Sequence, residues 1–258
     1  MSNKALNTEQ GHWILAKMGK KVLRPGGKEL TLELINSLRI QRTDDVVEFA
    51  PGLGYTASVA LQKQPKTYTG VELNESAASL LRGIINGEDR KIIVGNAANS
   101  TLKENSADKV YGEAMLTMQA DHRKSEIIRE AHRILKKGGL YGIHELGLYP
   151  DGLNEEIKLD IQKQLGHTIK VTARPMTQSE WTSLLEKEGF KIVKVVSNAM
   201  SLLEFKRVID DEGIFSTIKI VFNILTHPKE RKRILAMRNT FRKYNQHMNA
   251  IAIIAKKQ

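Results

Sequence analysis

The chain has no cysteine in its 258 residues, so it can form no disulfide framework, thiolate metal site or cysteine nucleophile. Aromatic residues make up only 5% and are not interleaved with basic ones, which argues against the stacking platforms that bind single-stranded nucleic acid. Long apolar runs are missing too. The greasiest stretch, Ile214 to Leu225, is short and broken by Lys219, so no transmembrane helix is expected. The opening MSNKALNTEQGHW lacks the apolar core of a signal peptide, and a soluble, cytoplasmic protein is the expectation. Acids are in deficit, 29 against 40 Lys and Arg, for a formal net charge of +11. The surplus gathers at Lys17, Lys20, Lys21, Arg24 and Lys28, and again at Lys229, Arg231, Lys232, Arg233, Arg238, Arg242 and Lys243. Basic patches attract nucleic acid or anionic membrane, but without basic-aromatic interleaving a solvated basic face is the favoured expectation.

The most informative stretch is DDVVEFAPGLGYTASVAL, from Asp44 to Leu61. Val46, Val47 and Phe49 suit a buried parallel strand, with one acid, Glu48, inside the run. Ala50-Pro51-Gly52-Leu53-Gly54 reads as a tight turn, and Tyr55 to Leu61 resumes as a helix. Such a unit presents backbone N–H groups and a positive helix end at the carboxyl edge of a sheet, where open α/β sheets bind nucleotide-like ligands. Gly52-Leu53-Gly54-Tyr55-Thr56-Ala57 also satisfies the G-x-G-x-x-G/A pattern of dinucleotide enzymes. A nicotinamide-dependent oxidoreductase, a non-catalytic nucleotide-binding fold and an ordinary ligand-free turn are all compatible with this segment taken alone.

Further short strands are expected at 68–73, 91–94, 109–114 and 140–144, with helices between them. Ser125 to Leu135 is one such helix, terminated by Lys136-Lys137-Gly138-Gly139. Thr177-Gln178-Ser179-Glu180 is a capping box that opens a helix, and Phe190 to Val196 is a sixth strand. Asn249 to Ala255 is apolar enough for a last, buried strand. Residues 1–40 read as two helices separated at Lys21–Gly27, and 202–244 as a helical insert with Ile234, Met237, Phe241 and Tyr244 on one stripe. The length suits a single domain, 1–258.

In order along the chain stand Glu48-Phe49-Ala50-Pro51-Gly52-Leu53-Gly54, Gly70-Val71-Glu72-Leu73-Asn74, Val94-Gly95-Asn96-Ala97, Ala107-Asp108-Lys109-Val110-Tyr111 and Arg133-Ile134-Leu135-Lys136-Lys137-Gly138-Gly139-Leu140. With these ordered motifs the chain resembles the class I S-adenosylmethionine-dependent methyltransferases over about residues 44 to 196 plus the final strand. The resemblance is nearest in style to the small-molecule enzymes of quinone and natural-product pathways. It implies a Rossmann-like, doubly wound, seven-stranded α/β sheet, mostly parallel with the last strand antiparallel, together with helical cap segments at 1–40 and 202–244.

The resemblance also implies a site. Glu48, Ala50, Gly52, Gly54, Tyr55 and Thr56 would form the loop around the methionine half of S-adenosylmethionine, with Glu48 organising that loop. Glu72 would take the ribose hydroxyls beside Leu73 and Asn74, while Gly95, Asn96 and Ala97 would face the adenine. Glu113 and Met115 would lie where cofactor and acceptor meet. Ala50 stands where the family has glycine, which reads as a mild change, and Asn96 stands for the usual aspartate. His144, Glu113, Glu145 and His12 are the candidate acid–base groups, with His144 favoured because its ordinary pKa lies near neutrality. Gly19, Gly26 and Gly27 would let the N-terminal part open. A small-molecule methyl acceptor is the expected partner and no metal is expected. RNA methylation is the runner-up, weakened because Gly112-Glu113-Ala114-Met115 lacks an amino-methylation motif. A monomer and a homodimer both remain open.

Overall fold

The computed structural model describes residues 10–258; the first nine residues of the expected N-terminal cover lie outside them. The chain opens with two helices, α1 (Gly11–Lys17) and α2 (Gly27–Leu38). Strands then alternate with helices through β1 (Asp45–Phe49), α3 (Tyr55–Leu61), β2 (Thr67–Glu72), α4 (Glu75–Ile84), β3 (Arg90–Val94), β4 (Ala107–Glu113), α5 (Asp121–Ile134) and β5 (Leu135–Leu148). Next come α6 (Glu155–Ile169), the two-residue β6 (Met176–Thr177), α7 (Gln178–Lys187) and β7 (Phe190–Ala199). Three helices, α8 (Phe205–Glu212), α9 (Ile214–Thr226) and α10 (Pro228–Lys243), precede the final strand β8 (Met248–Lys257).

The sheet runs β3-β2-β1-β4-β5-β8-β7. β8 lies antiparallel between β5 and β7, and the pairings among β1 to β5 are parallel. The seven expected strands are therefore present in this path, and β6 adds a short eighth beside the end of β5. β1, β4 and β8 bury nearly all their side chains because helices cover both faces, which is why they read as apolar runs rather than alternating ones. On one face Leu30, Leu34 and Leu38 of α2 pack with Ala57, Ala60 and Leu81. On the other, Ile127, Ile128, Ala131 and Ile134 of α5 pack with Trp181 and Leu185 of α7.

One local expectation changes. Lys136–Gly139 does not end a helix as a free turn but lies inside β5, where the pairing jumps from Ala107↔Leu135 to Lys109↔Leu140. Gly138 has φ +80, and a Cβ at Gly139 would stand only 2.9 Å from Lys136 O and 3.0 Å from Asp108 O. The two glycines permit this irregularity, which pulls the helix end tight against the sheet.

The capping box forms as the sequence pattern requires: the Glu180 N–H donates to Thr177 Oγ1 at 3.3 Å, and the Thr177 N–H donates to Glu180 Oε2 at 2.7 Å. Thr177 is fully buried. Thr177→Ala should lower unfolding free energy by about 1–2 kcal/mol in a denaturant titration, while Thr177→Ser retains most of it.

Candidate active site

The parallel strands end on a shared edge, and two of them end in the same way. The Ala50 N–H extends the ladder by donating to Val71 O at 2.9 Å, and the Ala114 N–H donates to His144 O at 2.7 Å. Each alanine then turns left-handed, with φ 53 and φ 52. A left-handed non-glycine residue costs about 1–2 kcal/mol, so alanine in place of glycine at position 50 is not the mild change expected. Both strained residues face the same cavity, where function commonly sustains such strain.

Glu72 ends β2 and is nearly buried. Its Oε2 accepts from the Gly52 N–H at 3.1 Å and its Oε1 from the Asn74 N–H at 2.9 Å. Asn74 in turn caps α4 by accepting from the Ala77 N–H. The acid thereby fixes the glycine loop relative to the next turn. A Cβ built on Gly52 would meet nothing nearer than Ala50 O at 4.0 Å, so its left-handed φ of +59, rather than packing, asks for glycine, and that side of the loop is open. Gly54 differs, since a Cβ there would press Leu81 at 2.9 Å.

Glu113, at the end of β4, is surrounded. It accepts from Thr31 Oγ1 at 2.8 Å, from Thr56 Oγ1, and from His144 Nδ1 at 2.7 Å, and Arg24 Nε lies 2.5 Å away as an ion contact off the hydrogen-bond direction. Burial alone would raise its pKa, but Arg24 and His144 hold it down to about 2. His144 Nε2 lies 2.5 Å from Pro25 O. Both His144 partners lie inside the protein, one a carboxylate and one a backbone carbonyl, and they hold the fully buried ring between them. His144 and Glu113, expected as acid–base groups, are thus tied to each other and buried, with Glu113 held as an anion. Glu145, the third acid–base candidate, is also held inside the protein. Fully buried, it accepts from the N–H groups of Met115, Leu116 and Thr117 and from the Thr117 hydroxyl, and so shapes the turn after β4.

Glu48 also changes role. Its Oε2 accepts from Tyr68 Oη at 2.6 Å and Tyr111 Oη at 2.8 Å, beneath the sheet edge rather than at the glycine loop. Burial pushes its pKa up to about 7, against the opposing pull of the tyrosine bonds and Arg24. Asn96 uses its carbonyl on the Ala98 N–H, as a turn residue does, and Ala97 is buried in the core. Leu73 is 73% exposed. Gly95 donates its N–H to Glu72 O, Tyr55 lies under Arg24, and Thr56 is buried against Glu113.

A cavity of about 260 Å³ joins these parts. Of the predicted residues, His12, Ala50, Gly52, Glu72, Glu113 and Met115 line it. Its remaining wall is mostly apolar, with Trp13 and Leu15 of α1, Leu165 and Ile169 of α6, and Met237 and Phe241 of α10. His12 has its pKa lowered to about 4 by burial and is neutral at physiological pH. Sequence reasoning missed Arg24 and Thr31, and it placed Lys20 and Arg24 on a solvated face. Lys20 is instead 2% exposed beside Asp211 and Glu212, and Arg24 is 8% exposed. The one local hint was Arg24's place just before the Pro25-Gly26-Gly27 turn.

The methyltransferase domain family matches residues 47–143, from β1 through the first part of β5. A relative from Haemophilus influenzae, an uncharacterised protein, is 35% identical over 254 residues, covering 96% of this chain and 98% of its own. The chain belongs to the class I S-adenosylmethionine-dependent methyltransferases. Its cofactor is S-adenosylmethionine. Among solved structures, the methyltransferase is similar to the [4+2]-cyclase SpnF, with TM-score 0.73 and 14% identity over 97% of this chain and 93% of that one. It is also similar to phosphoethanolamine N-methyltransferase 2 of Haemonchus contortus in complex with phosphomonomethylethanolamine and S-adenosylhomocysteine, with TM-score 0.72 and 17% identity over 97% of this chain and 58% of that one. At these identities the likeness is one of fold.

Two of the buried carboxylates, Glu113 and Glu48, pull the stability of this methyltransferase in opposite directions with pH. Glu113, depressed to about 2, contributes stability that is present above its ordinary value and lost as pH falls through about 4.5 toward 2. Glu48, raised to about 7, costs stability as pH rises from about 4.5 through 7, because the folded state holds a proton the unfolded chain releases. Glu48→Gln should therefore remove the alkaline loss and gain about 2–3 kcal/mol over wild type at pH 8 in chemical denaturation. A variant with the wild-type slope would contradict this assignment of the buried proton.

Proposed function

We propose that the protein transfers a methyl group from S-adenosylmethionine to a small, largely apolar molecule, mainly by holding the reactants in line. The observation that carries this reading is that one cavity is lined both by Ala50, Gly52, Leu53 and Glu72 and by a group of apolar side chains. The residues fit the cofactor. Glu72 uses one lone-pair position on each oxygen for Gly52 and Asn74, and a carboxylate has about four, so two remain for the ribose hydroxyls. Gly52 leaves the loop backbone open beside them. Bound there, the sulfonium supplies an already activated methyl group.

The chain's own part is orientation and exclusion of water. Trp13, Met118, Leu146, Met200, Met237 and Phe241 offer an acceptor an apolar seat. Neutral His12 is the titratable group at that end and can hydrogen-bond a polar atom of the acceptor. Residues 10–28 and 202–244 act as the cap. Their contact is built from Ile14, Leu15 and Met18 with Leu202, Ile234 and Met237. The cavity, about 260 Å³, lies just below the roughly 300–1,000 Å³ usual for ligand pockets, and movement of the cap would enlarge it. Gly26 and Gly27 do not serve as that hinge: a Cβ at either would press Ala250 at 2.7 Å or Asp211 at 2.6 Å. Gly19, with its nearest neighbour at 3.6 Å, has the freedom.

Calorimetry should show S-adenosylhomocysteine binding with no comparable NAD binding, and Glu72→Ala should weaken it by about 1–3 kcal/mol through the lost ribose and loop hydrogen bonds. Incubating cell extract with methyl-labelled cofactor should place the label in the small-molecule fraction. Label found in RNA instead would overturn the acceptor class while leaving the cofactor assignment standing.

A further inference from the structure

Helix α9 is built with its faces reversed. It is fastened to the protein by Thr217, Ile220, Asn223 and Ile224: the Asn223 side-chain amide donates to Met18 O at 3.0 Å, the Thr217 hydroxyl donates to Val208 O of α8 at 3.3 Å, and Ile220 is 5% exposed. Outward it presents Ile214, Phe215, Ile218, Phe222 and Leu225, between 58% and 90% exposed. At 100° per residue these positions fall on one arc, with Lys219 and Thr226 at its edge. An exposed apolar face on the order of several hundred Å² marks an interaction surface.

The charges choose the occupant. Lys219 lies on α9 itself, and Lys206 of α8 and Lys229 and Lys232 of α10 are exposed on the helices packed against it. Acids of the same region are engaged elsewhere: Asp211 and Glu212 lie beside Lys20, and Glu230 pairs with Lys17 at 2.6 Å, while Asp210 is exposed. A second copy docking through this face would bring like charges together around a two-fold axis. An anionic lipid surface instead matches the apolar arc with Lys219 at its edge and the exposed lysines of the adjoining helices. No helix among the described residues is long and apolar enough to cross a membrane, and α9, at 13 residues, suits one lying in the interface. We propose that α9 is an interfacial helix that seats the protein on anionic bilayers.

This seat is independent of the methyl-transfer reading, and its test uses no cofactor. The full chain is sedimented with vesicles of phosphatidylcholine alone or mixed with phosphatidylglycerol. Binding should favour the mixed vesicles and weaken with salt. Phe215→Ser/Phe222→Ser should reduce it about tenfold or more without changing the melting temperature, since both rings are in solvent, and Lys219→Glu should reduce binding to mixed vesicles only. Absence of vesicle binding overturns the proposal, as does binding that the double phenylalanine variant leaves unchanged. A chain that ignores vesicles and runs as a dimer dissolved by the same double variant also overturns it, in favour of a self-interface.

Discussion

Glu113 ends β4 with both carboxylate oxygens turned into protein, where they meet Arg24, Thr31, Thr56 and His144. Those four come from the segment before α2, from α2, from α3 and from β5, so one buried charge fixes four pieces of chain relative to the sheet edge. A buried carboxylate without such partners would take up a proton. Here Arg24 and the bond with His144 keep it ionised, and removing Arg24 would leave an unmatched charge inside the protein, which typically costs about 3–5 kcal/mol. His144 extends the tie to Pro25 O, so the N-terminal segment is held over the cavity by charge and hydrogen bonding as well as by apolar contact.

The same node separates two kinds of acid at the carboxyl edge of the sheet. Glu113 and Glu145 are saturated by donors from the protein, whereas Glu72 keeps acceptor positions facing the cavity. Saturated carboxylates give rigidity, and the unsaturated one retains acceptor capacity. Methyl transfer from a sulfonium suits this division, because the reaction needs alignment more than proton transfer. The fold does not dictate that chemistry: SpnF, a [4+2]-cyclase, is similar in fold at TM-score 0.73, so activity rests on side chains rather than on architecture.

The basic surplus likewise divides. Lys20 and Arg24 lie inside, beside acids, and Arg238 and Arg242 both pair with Glu204. Lys219 stays at the edge of an outward apolar helix. Net charge by itself therefore says little about a nucleic-acid partner, since the charges that make up +11 occupy quite different environments.

Local pattern was enough for the elements. The apolar runs at Val46–Phe49 and Asn249–Ala255, the capping box at Thr177–Glu180 and the glycine turn after Phe49 each depend on neighbours in sequence, and each formed where its chemistry required. The motif order also carried the family. What the sequence withheld were the long-range pairings: Arg24 with Glu113, Lys20 with Asp211, Glu48 with two tyrosines, His144 with Pro25. A charged side chain reads the same whether it ends in water or against an opposite charge, and only the crossing of strands and helices decides which. The strain at Ala50 and Ala114 belongs there as well, because a left-handed turn at the end of a strand is imposed by the sheet edge and not by the alanine that bears it.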